Sequence, residues 1–175
     1  VNDTAIIATG GKALLIGIDC KTGKKAWETP NPKNWKMSHS SIMPMTFGGK
    51  KMYVYAAIGG MVGISAEEPN LGEILWKTSA FNPSVIAPSP LILDGGKIFL
   101  TAGYGAGSIL FQIKPKGEKF IVEVLQQFKP KDGLASEQQT PLFYLGHILD
   151  ILPKDAGTHR NQFVCTSSSD AQNIL

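Results

Sequence analysis

The chain lacks most of what would mark a membrane span, a disulfide framework, a helical bundle or a nucleic-acid surface. No run of 18 apolar residues occurs in its 175, so no bilayer-crossing helix is expected. There are two cysteines, Cys20 and Cys165, with no adjacent Cys-Cys pair. They lie near opposite ends of the chain and are expected as free thiols, so they say little about redox compartment. No long segment repeats its apolar residues with helical spacing, which argues against helical repeats. Basic residues number 17 against 14 acidic, a net charge of +3, and they are scattered. The short clusters at Lys50–Lys51, Lys114–Lys119 and Lys129–Lys131 read as solvated turns. A nucleic-acid surface would need a denser stripe with interleaved aromatics, so no such partner is expected. The histidines, His39, His147 and His159, lack zinc-site spacing, and no nucleophile-elbow pattern is present. Gly103-Tyr104-Gly105-Ala106-Gly107 misses the Gly-x-Gly-x-x-Gly spacing and has no following helix. It reads as a wide hairpin rather than a phosphate loop.

What remains is a globular composition, 43% apolar and 18% charged, sufficient for one packed domain over 1–175. Its most informative stretch is Ile18–Trp27. An apolar strand ends at Ile18. Asp19, Thr22 and Gly23 form a polar turn whose side chains can bond nearby backbone, with glycine free to take a positive φ. A return strand then carries Trp27. The Gly-to-Trp spacing recurs at Gly72 and Trp76. A second anchor recurs too: Pro44, Pro90 and Pro141 each precede a glycine by five residues (Gly49, Gly95, Gly146) and an apolar residue by eight (Met52, Ile98, Leu149). Repeats of roughly 40–50 residues made of strands indicate β-propeller blades of four antiparallel strands.

The expected blade pieces are approximately 1–36, 37–82, 83–133 and 134–175. The first would hold strands at Thr4–Ala8, Ala13–Ile18 and Lys25–Glu28, without an inner strand. The second would hold Ile42–Phe47, Met52–Ile58, Met61–Ser65 and Glu73–Thr78. The third would hold Ser89–Leu93, Lys97–Ala102, Ile109–Ile113 and Lys119–Phe128. The last would hold Thr140–Tyr144, His147–Leu152 and Gln162–Thr166, without an outer strand. Gly48–Gly49 and Asp94–Gly96 suit tight hairpins. Continuous apolar runs such as Tyr53–Ile58 fit strands buried on both faces between neighbouring blades. An arc of three to four blades leaves open faces and edges, so the chain is expected to be part of a larger ring or to be closed by another copy or chain. Val1 starts within the fold, so any signal peptide is expected to precede it or to have been removed.

Ile18–Trp27 and the proline–glycine repeats resemble the quinoprotein-like family of β-propellers with PQQ-like repeats. Its blade signature, small-x-Asp-x-x-Thr-Gly-x-x-x-Trp, is matched at Asp19, Thr22, Gly23 and Trp27. The second copy keeps Gly72 and Trp76 but carries an insertion at Glu67–Leu71, and the third keeps only Lys116-Gly117-Glu118. The resemblance implies a bacterial periplasmic, cell-envelope or secreted location. Some members of the family are alcohol or sugar dehydrogenases carrying pyrroloquinoline quinone and calcium. Others are non-enzymatic scaffolds, among them an outer-membrane assembly lipoprotein. In both classes the Thr-Gly-Trp motif packs blade on blade, so it marks architecture rather than catalysis.

The resemblance implies that a dehydrogenase would show a Cys-Cys pair and a calcium-binding Glu, Asn and Asp set. The chain has no Cys-Cys, and Glu67, Glu68 and Asn70 read as a solvated loop rather than an ion site. No cofactor is therefore expected, and the non-catalytic branch is favoured. The alternative is a dehydrogenase fragment whose catalytic residues lie in other blades. Residues just before inner strands face one end of a propeller. These are His39 in the second blade, Ala87 and Pro88 in the third, and Glu137, Gln138 and Gln139 in the fourth. With Tyr104 at a hairpin tip, His39, Glu137 and Gln138 are the candidate contacts for a protein or small ligand. His39 reads more readily as a loop histidine bonded to a neighbouring hydroxyl than as a ligand contact.

Overall fold

The computed structural model describes residues 3–174, with side chains over 3–169; Val1, Asn2 and Leu175 lie outside them. Among the described residues, fifteen strands form four antiparallel meanders, with strands adjacent in sequence paired within each sheet. The first sheet has three strands, β1 (Thr4–Ala8), β2 (Ala13–Asp19) and β3 (Lys25–Pro30). The second contains β4 (Met43–Phe47), β5 (Lys50–Ala57), β6 (Gly60–Ser65) and β7 (Ile74–Thr78). The third contains β8 (Leu91–Ile92), β9 (Lys97–Ala102), β10 (Gly107–Lys116) and β11 (Lys119–Phe128). The fourth contains β12 (Leu142–Tyr144), β13 (His147–Ile151), β14 (Phe163–Ser167) and β15 (Asp170–Ile174).

Two expectations need correction. The fourth sheet does have an outer strand, β15, hydrogen-bonded to β14. It follows a tight turn at Ser168–Ser169, and the sequence there offers no tryptophan to reveal it. The inner strand of the third sheet shrinks to Leu91–Ile92, because Asp94–Gly96 forms a 3-10 turn instead of a tight hairpin. Gly95 and Gly96 both sit in the left-handed region.

Strand periodicity divides the buried side chains among three cores. On β5, Met52, Val54 and Ala56 face the third sheet, while Tyr55 and Ala57 face the first. On β9 and β10, Ile98, Leu100, Ile109, Phe111 and Ile113 face the second sheet, while Phe99 and Leu110 face the fourth. The middle sheets are thus buried on both faces, as their continuous apolar runs imply. The outer sheets alternate, with burial in β1 switching at every residue.

The tryptophan motif works through a cross-strand glycine. Gly17 pairs with Trp27, and Gly63 pairs with Trp76. A Cβ on Gly17 would lie 2.1 Å from the Trp27 indole nitrogen. Trp27 stacks on Tyr53 of the next sheet, interplanar angle 4°, and Trp76 meets Phe111 edge-on at 5.7 Å. Trp76 is buried, whereas Trp27 is only half-buried because a groove opens beside it. In the third sheet the corresponding pair is Leu110 and Gln126, so the bulk has moved to the opposite strand.

The turn before Trp27 is built as its residues dictate. Asp19 Oδ1 accepts from the Lys21 and Thr22 amides and from the Thr22 hydroxyl, and the Gly23 amide donates to the Asp19 carbonyl. These bonds, led by the Thr22 amide, hold the Asp19 carboxyl below the usual range. In the second sheet Ser65 replaces Asp19 and accepts from Gly72. The longer connection at Glu67–Leu71 lies between them. Both cysteines are free thiols.

Candidate functional site

Antiparallel meanders put the segments before inner strands and the turns between second and third strands at the same end. At that end the pre-strand segments of three consecutive sheets are tied together by hydroxyls. The Ser41 amide donates to Ser89 Oγ, and the Ser89 amide donates to Thr140 Oγ1, both at 2.9 Å. The His39 amide donates to the Ile86 carbonyl at 3.0 Å. Chain segments distant in sequence are thereby held in register around one opening.

That opening is a cleft of about 480 Å³ lined by His39, Val85, Ala87, Tyr104, Glu137 and Gln138. The structure therefore brings together all four candidate contacts, His39, Tyr104, Glu137 and Gln138. The His39 ring is exposed and makes no hydrogen bond among the described residues, so the reading of a hydroxyl-bonded loop histidine does not hold. Tyr104 sits at the tip of the β9–β10 turn with φ of +58° and is 68% exposed. That backbone conformation is unfavourable for a bulky residue. The Ala106 amide closes the turn on the Gly103 carbonyl. Gly103 packs directly on Glu137, where a Cβ would stand 2.1 Å from Glu137 Cγ. Glu137 is half-buried as a residue, and its carboxylate has no hydrogen bond or ion pair among the described residues.

Behind the cleft lies a buried polar network that the sequence reading missed. Ser136 Oγ donates to the Asp150 carboxylate, with its two oxygens at 2.8 and 2.9 Å, and the Ile151 amide donates to Oδ1. The Ser136 amide donates to Thr101 Oγ1 at 2.6 Å. Asp150 is 2% exposed, and burial lifts its pKa to about 7 against the pull of those hydrogen bonds. The signal was present in His147–Ile151: alternation puts Asp150 on the same inward face as Ile148. This network fixes Ser136, the residue next to Glu137, to the third and fourth sheets together.

Other candidates do not converge. His147 Nδ1 bonds the Leu145 carbonyl and His159 Nδ1 bonds Gln162, each a local contact. Glu67 accepts from the Lys51 amide and pairs with its ammonium, and Asn70 donates to Glu73. The Glu67 carboxylate is thus engaged locally, and among the described residues no three His, Cys, Asp or Glu side chains group to hold a metal ion. Two larger grooves, of about 620 and 650 Å³, run beside β1 between the first and second sheets. The first is lined by Lys51, Glu67 and Glu68, whose Lys51–Glu67 pair closes on itself, and the second mainly by apolar residues of β1 and the hydroxyls of Ser40 and Ser41. No helix among the described residues is long and apolar enough to cross a membrane.

No protein-family model matches the sequence, and no curated protein matches it. Among solved structures the chain is similar to BamB from Moraxella catarrhalis, with a TM-score of 0.53 and 16% identity. The similarity covers 99% of this chain and 45% of that one, so the chain spans less than half the length of its structural neighbour. The four antiparallel meanders and this likeness together establish a β-propeller fold built of four-stranded antiparallel blades.

Proposed function

We propose that this chain is a non-catalytic binding scaffold of the bacterial cell envelope, a PQQ-like propeller that presents its end-face cleft to a protein partner. One observation carries the reading: His39, Tyr104, Glu137 and Gln138 come from three consecutive blades and meet around one opening. Their backbone is fixed by the Ser41–Ser89–Thr140 hydroxyl ties and by the Ser136–Asp150 bond. A rigid scaffold presenting exposed loop side chains is the usual form of a recognition surface. The likeness to BamB supports the scaffold branch of the resemblance and a periplasmic location. No cofactor is assigned to the chain.

Site-specific photo-crosslinking tests this. A crosslinker at Tyr104 should capture an envelope protein, and one at Lys24, in a turn at the opposite end of the blades, should not. Equal capture at both ends would defeat the end-face assignment. Alcohol or sugar oxidation on adding pyrroloquinoline quinone and calcium would replace the scaffold reading with the dehydrogenase one.

A further inference from the structure

We infer that the end-face cleft receives the basic side chain, arginine or lysine, of a partner polypeptide. The inference rests on the scaffold reading above and specifies its chemistry. The six lining residues carry one formal negative charge, Glu137, and include no lysine or arginine, on a chain whose net charge is +3. The cleft is thus a local acidic point on a basic protein, and it selects a cation by charge.

Geometry supports the same class. The Glu137 stem is pinned against Gly103, while its carboxylate has no partner among the described residues. An unpaired carboxylate is a strong acceptor for a guanidinium or ammonium. Tyr104, held outward on a left-handed backbone, offers the aromatic face that such a cation stacks upon. Gln138 adds a neutral amide acceptor at the same opening, and Val85 and Ala87 give an apolar wall for the aliphatic stem. A neutral sugar would use the aromatic face and the amide but has no need of the unpaired charge. An acidic peptide would be repelled by it.

The test is titration of the 175-residue protein with the capped tripeptide Arg-Arg-Arg, followed by calorimetry and by NMR. Capped Glu-Glu-Glu and maltotriose form the other arms. The arginine peptide should perturb the Tyr104, Glu137 and His39 signals saturably. Glu137→Gln should weaken it by about tenfold or more, the scale of losing a hydrogen bond to a charged group. Tyr104→Gly should weaken it severalfold without lowering the melting temperature, because glycine tolerates the positive φ. Unchanged binding in Glu137→Gln, or perturbations that map outside the cleft, would overturn the proposal. Binding of maltotriose or Glu-Glu-Glu at the cleft in place of the arginine peptide would overturn the cationic class and leave the scaffold reading standing. No binding by any probe, together with no crosslink from position 104, would overturn both.

Discussion

Gly63 faces Trp76 across β6 and β7 so closely that a Cβ at position 63 would stand 2.0 Å from the indole nitrogen. The indole lies flat over the glycine, donates from Nε1 to Met52 Sδ, and fills the gap to Phe111 of the next blade. Gly63→Ala should therefore cost about 1–3 kcal/mol through overpacking. Trp76→Ala should cost about 3–5 kcal/mol. Trp27→Ala should cost less, about 2 kcal/mol, because that indole is only half-buried. Urea denaturation of the three variants checks the order; a Trp27 variant weaker than the Trp76 one would contradict the packing.

Asp150 makes stability fall as pH rises. Its carboxyl ionises near its ordinary value of 3.8 in the unfolded chain but near 7 when buried. Stability from this group is fully present below about pH 4 and is lost as pH climbs through about 7. The loss amounts to at most about 4 kcal/mol. Asp150→Asn should flatten the dependence and be the more stable form at pH 8. Parallel stability profiles for the two proteins between pH 4 and 8 would show that the buried carboxyl ionises normally.

Asp19 behaves in the opposite sense. Its carboxyl is lowered by the Thr22 amide and hydroxyl, so its contribution is present above the ordinary carboxylate range and disappears as pH falls through the lowered value. The Thr22 amide resonance should report that titration below the usual aspartate pKa. Thr22→Val should raise the Asp19 pKa by removing the hydroxyl donor while leaving the amide donor in place.

The fourth blade exposes Leu142 (64%), Tyr144 (66%), Ile151 (49%) and Phe163 (68%). Ile151 pairs with Phe163 across β13 and β14, so the residues share one apolar face. The 175-residue polypeptide should self-associate at tens of micromolar through this face. Sedimentation should show mass above the monomer, and replacing Leu142 and Phe163 with serine should lower it. A wild-type monomer at that concentration would contradict the expectation.

Much of this architecture can be read from the residues because each signal is local. The turn at Asp19–Gly23 needs only its own side chains and one positive φ. The Pro-x4-Gly spacing sets the blade register, so His39 and Glu137 can be placed at equivalent positions before any contact is known. What is not legible depends on partners far away. Gly17 and Gly63 look like ordinary strand glycines until the cross-strand register sets an indole over each. Alternation turns Asp150 inward on its strand, but only the contacts with Ser136, itself held to Thr101 of the third blade, show how a carboxyl is accommodated there. Strand β15 has no apolar signature of its own and exists by pairing with β14.

By itself the sequence determined the all-β repeat, its period, the turn chemistry and the end of the blades at which the candidate contacts lie. Those follow from backbone preference and two-residue alternation, which act over a few residues. Only the tertiary structure decided that the four contacts share one cleft, that Glu137 stands unpaired within it, and that Asp150 is sealed behind it. Each depends on how closely neighbouring blades approach, and that distance is set by side-chain packing between segments some 50 residues apart.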